Sequence, residues 1–414
     1  MADAALPSHT QARRARVRWH GRLMLAAGFA LMAVSGLVWN SFSVFLVALS
    51  AEHGWSRTGL SAGFSTLALT NAVSAPAIGW LMLRVDSRLL LGGLSVAAAA
   101  ALLAVAFVES LPAFVLLYGL VLGFTLHACS SYAIFSVLAC HIRRRLASAM
   151  AVVDSGAGLA VFLGLPLLQW VIDRGGTRMA FALLAGLMLV VCGGLNLLAL
   201  RPLRRGKAGA DGRRFWPAKG LARPVLLLAL AYGLGSLAYH GFLSQQIALM
   251  EERSVPVDVA VWIASTAGLA TFAWRLSSGL LADRVGLLPL VLACLLGAAA
   301  AVAGLASLWA GPAGPLLSLY PFGLAIGFGA QAVLLASATR AMVSGPDFGL
   351  VFGMMRFCAG LGMFAGPILT AALADALGGY GLPLAALAAL ALLHFTTFAA
   401  AAWRAEGVGG GRGG

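Results

Sequence analysis

This sequence has little charge. Only 10% of its 414 residues are Asp, Glu, Lys or Arg, whereas 61% are apolar; soluble domains carry about 25% charged residues. With a mean hydropathy of +0.94, the chain has too little polar surface to cover a water-soluble globule and needs lipid as its solvent. Cysteine is scarce as well. Cys129, Cys140, Cys192, Cys294 and Cys358 each fall inside an apolar run with no metal-ligand spacing, which argues for small buried side chains and against a disulfide framework or a zinc site. The sequence holds neither a His-Glu-x-x-His pair nor a phosphate-binding loop, and little length remains outside the apolar runs for a soluble catalytic domain. No enzyme, metal or cofactor is therefore expected. A net charge of +14 raises the question of nucleic acid, but that reading needs basic residues clustered on a polar face beside stacking aromatics. Here they sit in short loops between apolar runs, so no nucleic-acid partner is expected.

What is abundant is apolar sequence in runs of spanning length. A helix needs about 20 apolar residues to cross a hydrocarbon core of roughly 30 Å. Runs broken by charges or turn residues predict helices over 22–50, 57–83, 88–108, 111–139, 146–172 and 178–200, then over 224–251, 257–283, 287–309, 313–342, 348–376 and 380–403. The expected fold class is an all-α membrane protein of twelve transmembrane helices, six in a first bundle (22–200) and six in a second (224–403). A polar, basic tail (1–21) precedes them. The run that follows, from Arg22 to Ser50, contains no A-x-A cleavage pattern and reads as a first spanning helix rather than a removable signal. Residues 201–223 form the one long polar stretch, glycine-rich and basic, and read as a flexible linker; residues 404–414 make a short tail.

Orientation follows from the basic residues. Of the 28 Lys and Arg, 22 fall on the side of the tails, the linker and the even-numbered loops, 4 (Arg57, Arg174, Arg178, Arg253) on the opposite side, and 2 inside helices. Basic loops stay in the cytoplasm, so both termini and the linker are expected there, in a multi-pass protein of a bacterial-type inner membrane. An internal repeat supports two halves. Gly79-Trp-Leu-Met-Leu-Arg84 is matched by Gly279-Leu-Leu-Ala-Asp283-Arg284 at an offset of 200, and Ala157-Gly158-Leu159 through Gly164-Leu-Pro166 by Ala359-Gly360-Leu361 through Gly366-Pro367 at 201 to 202.

The stretch Gly279-Leu-Leu-Ala-Asp283-Arg284-Val-Gly286 resembles the signature loop of the major facilitator superfamily, G-x-L-x-D-R-x-G. The resemblance implies that superfamily's fold, two pseudo-symmetric six-helix bundles, and a gating role for Gly79, Arg84, Gly279, Asp283 and Arg284. The first-half loop departs from the pattern: Leu83 stands where the acid belongs and Asp86 where the second glycine belongs. Glu52-His-Gly54-Trp55-Ser56-Arg57, the glycine-rich fifth helix ending Leu167-Leu-Gln-Trp-Val-Ile-Asp173-Arg174, and Arg275 eight residues before Asp283 resemble the bacterial monocarboxylate-transporter and oxalate/formate-antiporter branch. In that branch the arginine at the Arg275 position is implied to bind the substrate carboxylate. Members commonly carry a lysine in helix 1 or 11, and this sequence has none in either.

Three charges fall clearly inside predicted helices, away from their ends: Asp154, Arg275 and Arg356. A charge at bilayer depth costs at least about 2.5–3.5 kcal/mol and persists where it faces a partner or a wet cavity. At about 1.5 Å rise per residue, all three lie roughly 12–14 Å from the cytoplasmic face, near the midplane where such transporters bind substrate. The expectation is that Asp154 pairs with one arginine across the bundles and couples proton movement, while the other arginine holds an anion; a fixed structural ion pair is the alternative. Asn40, His127, Tyr132, Tyr239, His240, Gln245, Tyr320 and Gln331 lie on cavity-lining helices and are candidates for polar groups that orient a ligand, each with the alternative of an interhelical hydrogen bond. Gly156, Gly158, Pro166, Gly360, Gly362, Gly366 and Pro367 read as close-packing and bending points. The function expected is a monomeric secondary transporter of a small organic anion, a monocarboxylate by preference, coupled to a proton as symport or to a counter-anion. The alternatives are efflux of an amphipathic drug or metabolite, and a membrane sensor that keeps the fold without transport.

Overall fold

The computed structural model describes residues 9–131, 133–134, 137–138, 146–198, 222–285, 287–311, 314–329, 331, 334, 338 and 348–410. Within these, side chains are described except at 9–22, 76, 79–80, 83, 146–148, 150, 222–224, 279–280, 282–285, 287, 348–354, 356 and 402–410. Among the described residues every regular element is helical. The first half holds α1 (His9–His53), α2 (Arg57–Arg84), α3 (Ser87–Val105) and α4 (Leu111–Cys129), the last passing through a π-helical stretch, Val115–Leu122, into a 3₁₀ turn, Leu126–Cys129. A continuous helical run from Leu146 breaks at Gly176 (φ 72°, ψ −179°), and this break separates α5 (146–175) from α6 (177–198). The second half holds α7 (Ala222–Glu252), α8 (Val257–Val285), α9 (Leu287–Ala306), α10 (Leu319–Phe328), α11 (Phe348–Leu377) and α12 (Gly381–Gly410). Nine described helices, one of them Ala151–Leu198 with the break inside it, are long and apolar enough to span a membrane. With that break as a boundary, and with α2 and α10, the order of elements accommodates the twelve predicted helices. The linker 201–223 lies almost entirely outside the described residues.

Two boundaries differ from the sequence reading. α1 begins at His9 rather than Arg22, because arginine and alanine propagate a helix beyond its apolar stretch, and α12 runs to Gly410 rather than ending at 403, an extension through three glycines that helix propensity does not explain. The turns explain their own sequences. Gly54 (φ 68°) ends α1, and the Ser56 side chain caps α2 by accepting from the Gly59 N–H. Asp86, which breaks the repeat motif, caps α3 by accepting from the Arg88 N–H at 2.9 Å and pairs with the Arg88 side chain at 3.1 Å. The backbone also repeats itself. Left-handed residues stand at Gly54 and Ser254, offset by 200, and at Gly176 and Gly378, offset by 202.

Within each half, small residues let helices meet closely. A Cβ at Gly36 would lie 2.5 Å from the Ala157 main chain, one at Gly156 would strike the Phe29 carbonyl, and one at Gly366 the Leu237 carbonyl; these positions join α1 to α5 and α7 to α11. The halves meet along α5 with α8, α2 with α11 and α1 with α7. A Cβ on Gly158 would come within 2.7 Å of the Gly268 carbonyl, and one on Gly360 within 2.6 Å of the Ala72 methyl. Outward, the bundle presents large apolar side chains such as Leu89, Val190 and Leu296, a surface that lipid tolerates and water does not.

Candidate functional site

The α5–α8 crossing brings two of the three predicted intramembrane charges together. Arg275 Nη1 donates to Asp154 Oδ2 at 2.9 Å and to the Asp154 carbonyl at 3.3 Å, and Nε donates to the Gly329 carbonyl at the end of α10 at 3.2 Å. The guanidinium is thereby held by α5 and the end of α10, and its Nη2 has no hydrogen-bond partner among the described residues. Both side chains keep about a quarter of their surface, 24% for Arg275 and 27% for Asp154, so neither group is fully enclosed by protein. Arg356, the third charge, has its backbone in α11 and its side chain outside the described residues.

Beside this pair lies a cavity of about 40 Å³ between the halves, lined by α1, α5, α7, α8 and α10. Its polar lining is Asn40, Tyr239, Gln246, Thr271 and Arg275. The volume admits a few water molecules rather than a ligand of several carbons, so in this conformation the site is contracted. The walls follow helical periodicity. Tyr239, Leu243 and Gln246 recur along α7, and Ala264, Gly268, Thr271 and Arg275 along α8. Tyr239 stacks on Phe328 at 5.6 Å and feels the charges of Arg275 and Asp154.

A second set of contacts closes the end of the molecule that carries the α1–α2 and α11–α12 turns. Arg57 pairs with Glu252 at 3.3 Å and lies 5.0 Å over the Tyr380 ring. The backbone N–H of Tyr380 donates to Glu252 at 3.0 Å, and Asp375 accepts from the N–H and hydroxyl of Thr58 at 3.0 and 2.6 Å. Deeper in, Gln245 accepts from the Tyr380 hydroxyl at 2.7 Å and donates to Ser61 at 2.9 Å. Burial raises the Tyr380 pKa above the usual tyrosine range, aided by the acids nearby, so the hydroxyl stays a donor. Behind this latch is a larger cavity of about 290 Å³, bounded by α1, Arg57, Glu251 and Glu252.

The structure thus gathers Asn40, Tyr239, Arg275 and Asp154 at one place and sends other candidates elsewhere. Gln245 belongs to the latch. Tyr320 is fully buried and donates to Gln246 at 2.7 Å. His127 joins α4 to α2 through Ser74 at 3.0 Å and the Asn71 carbonyl at 3.1 Å. Gln331 meets His394 of α12 at 3.4 Å, and His240 bonds the Ser236 carbonyl of its own helix at 2.8 Å. Tyr132 lies outside the described residues. For the gating motif, the backbones of Gly79, Arg84, Gly279, Asp283 and Arg284 continue α2 and α8; the side chains of Asp283 and Arg284 are not described, and Arg84 is exposed. Gln246 and Thr271 escaped the sequence reading, although Thr271 stands one helical turn before Arg275. Gly59-Leu-Ser61-Ala-Gly63 spells the nucleophile-elbow pattern G-x-S-x-G. It lies inside α2, not on a strand-to-helix turn, and Ser61 is engaged by Gln245.

Comparison with known proteins agrees with this architecture. A family model described as Major Facilitator Superfamily matches residues 28–245. Monocarboxylate transporter 13 of Bos taurus is 26% identical over 385 residues, 87% of this chain and 84% of the relative. Monocarboxylate transporter 13 of Rattus norvegicus is 25% identical over 383 residues, with 87% and 84% covered. Among solved structures, the nucleoside transporter NupG superposes with a TM-score of 0.69 at 13% identity, covering 92% of this chain and 98% of that one. A bacterial homolog of the human lysosomal transporter Spinster, inward-facing and unoccupied, superposes with 0.65 at 14%, covering 93% and 94%. At such identities these structures speak for the fold alone.

Proposed function

The chain belongs to the Major Facilitator Superfamily and is a multi-pass membrane transporter; from that premise we propose that it carries a small organic anion, a monocarboxylate in the simplest case, across the inner membrane by alternating access. Two six-helix bundles, 22–200 and 224–403, rock against each other around the α5–α8 and α2–α11 crossings. Both termini are cytoplasmic, so the Arg57–Glu252–Tyr380 latch faces outward. The observation that carries this reading is Arg275, a guanidinium at the cavity wall with one nitrogen on Asp154 and one uncommitted. A carboxylate takes two parallel N–H donors of an arginine. Protonation of Asp154 weakens its hold on Nη1 and frees that donor for the ligand, which ties proton entry to anion binding; a counter-anion on the same guanidinium gives exchange instead. Arg356, at the position of the repeat equivalent to Asp154, is assigned as the second cation of the site. The relatives named for monocarboxylate transport support the substrate class.

The test is ligand-induced thermal stabilisation of the detergent-purified protein across small mono- and dicarboxylates, amino acids, nucleosides and cationic drugs, repeated with Arg275→Ala. A carboxylate is expected to raise the melting temperature of the wild type and not of the variant. Stabilisation by cations alone would favour efflux of amphipathic compounds, and by none of the panel a non-transporting sensor; either result sinks the anion reading.

A further inference from the structure

Gln245 and Gln246 are adjacent on α7 and serve different places, one in the latch and one in the cavity wall. Gln246 is 2% exposed and Tyr320 0%, and the amide between them is fixed from both ends. Its Nε2 donates to the Leu243 carbonyl at 3.2 Å, where an amide oxygen would face another oxygen, and its Oε1 accepts from the Tyr320 hydroxyl at 2.7 Å. An amide nitrogen carries two hydrogens, and one remains. An amide in an apolar wall costs desolvation unless each group finds a partner, and the space it lines is the one that Arg275 borders.

We infer that Gln246 is a specificity-determining residue and Tyr320 its positioning residue: the remaining amide N–H is offered to a second oxygen on the anion, beyond the carboxylate held by Arg275. The inference rests on the anion reading above and deepens it. The preferred ligand is a carboxylate with an oxo or hydroxyl oxygen on its carbon chain, because a site built to donate to that oxygen leaves its own donor unpaired when the oxygen is missing. Tyr320 acts by orientation. Without its hydroxyl the amide keeps only the Leu243 carbonyl as an anchor, and its remaining N–H is aimed less well at the ligand oxygen.

Uptake of labelled butanoate and of its oxo and hydroxy derivatives into proteoliposomes tests this, comparing wild type, Gln246→Met and Tyr320→Phe. Wild type is expected to favour the oxygenated acids in kcat/KM by roughly tenfold, the worth of one net hydrogen bond. Gln246→Met, close in shape but without the amide, brings that ratio near one, and Tyr320→Phe brings it part of the way. A purely structural role would lower all the acids together and leave the ratio where it was. A wild type without preference, or a Gln246→Met variant that keeps the wild-type ratio, overturns the assignment. If Gln246→Met does not fold, Tyr320→Phe, which removes a single oxygen, carries the test, and an unchanged ratio there overturns it. Arg275→Ala in parallel separates the two levels. A wild type that takes up none of the acids refutes the anion reading itself, and butanoate uptake that survives Arg275→Ala refutes Arg275 as the carboxylate's anchor, whereas uptake lost there with the ratio intact in Gln246→Met refutes only the role of Gln246.

Discussion

The two crossings that join the halves, α5 on α8 and α2 on α11, occupy equivalent positions in the repeat and are built differently. Both are close at small residues, Gly158 against Gly268 in one and Gly360 against Ala72 in the other. The first crossing carries its polar contact in the middle of the helices, the Asp154–Arg275 pair at 2.9 Å. The second carries its described polar contact at one end, where Asp375 holds the first turn of α2 through Thr58. In the repeat, Arg275 corresponds to Ala75. A shared scaffold thus sets how the helices approach, and unequal placement of charge puts an ion pair at the cavity wall in one crossing and an end contact in the other.

Asp154→Ala and Asp375→Ala probe that difference most strongly. Removing Asp154 orphans Arg275 and is expected to cost about 3 kcal/mol, the low end for an unpaired buried charge because neither group is fully enclosed; removing Asp375 costs about 1 kcal/mol, the worth of a helix cap. Thermal unfolding of the two variants in detergent measures both, and equal losses would break the comparison. Next in size is Gly158→Ala, whose methyl meets the Gly268 carbonyl and the Phe272 backbone and is expected to destabilise by about 1–3 kcal/mol through overpacking. Gly360→Ala, opposed by one methyl rather than by main chain, has the smaller effect; the reverse order in melting temperature would show that the α2–α11 crossing is the tighter. Smallest is Arg57→Gln in the latch. Its partly exposed ion pair is worth under about 1 kcal/mol and fades with salt, so the variant should differ from wild type in accessibility at the latch end at low ionic strength, read by labelling of Ser61→Cys, and converge with it at high salt.

Much of this was legible in the sequence because lipid simplifies the code. Apolar runs mark helices, and Asn40, Tyr239, Asp154 and Arg275 stand out as polar groups where polarity is expensive. Small residues at 156, 158, 360, 362 and 366 announce close approach. What could not be read was direction. Gln245 and Gln246 differ by about 100° around α7, and only the packing of α2, α10 and the α11–α12 turn decides which of them meets the latch and which the cavity. His127 looked like a candidate ligand for the same reason that it makes an interhelical tie: a buried imidazole nitrogen needs a partner, and Asn71 and Ser74 supply Nε2 with two, while Nδ1 has none among the described residues. The π-helical stretch of α4 has no signal in its composition.

The glycine and alanine faces of the two crossings have one more effect, on disorder rather than on distance. Ordering a leucine or methionine side chain at an interface forfeits rotamer freedom worth roughly 0.5–2 kcal/mol, whereas glycine and alanine have none to lose. At Gly158, Gly360 and Ala72 the surfaces that touch are main chain and a single methyl, and at Gly268 the one side chain is the stiff, β-branched Val161, so there the halves meet with little side-chain freedom to lose.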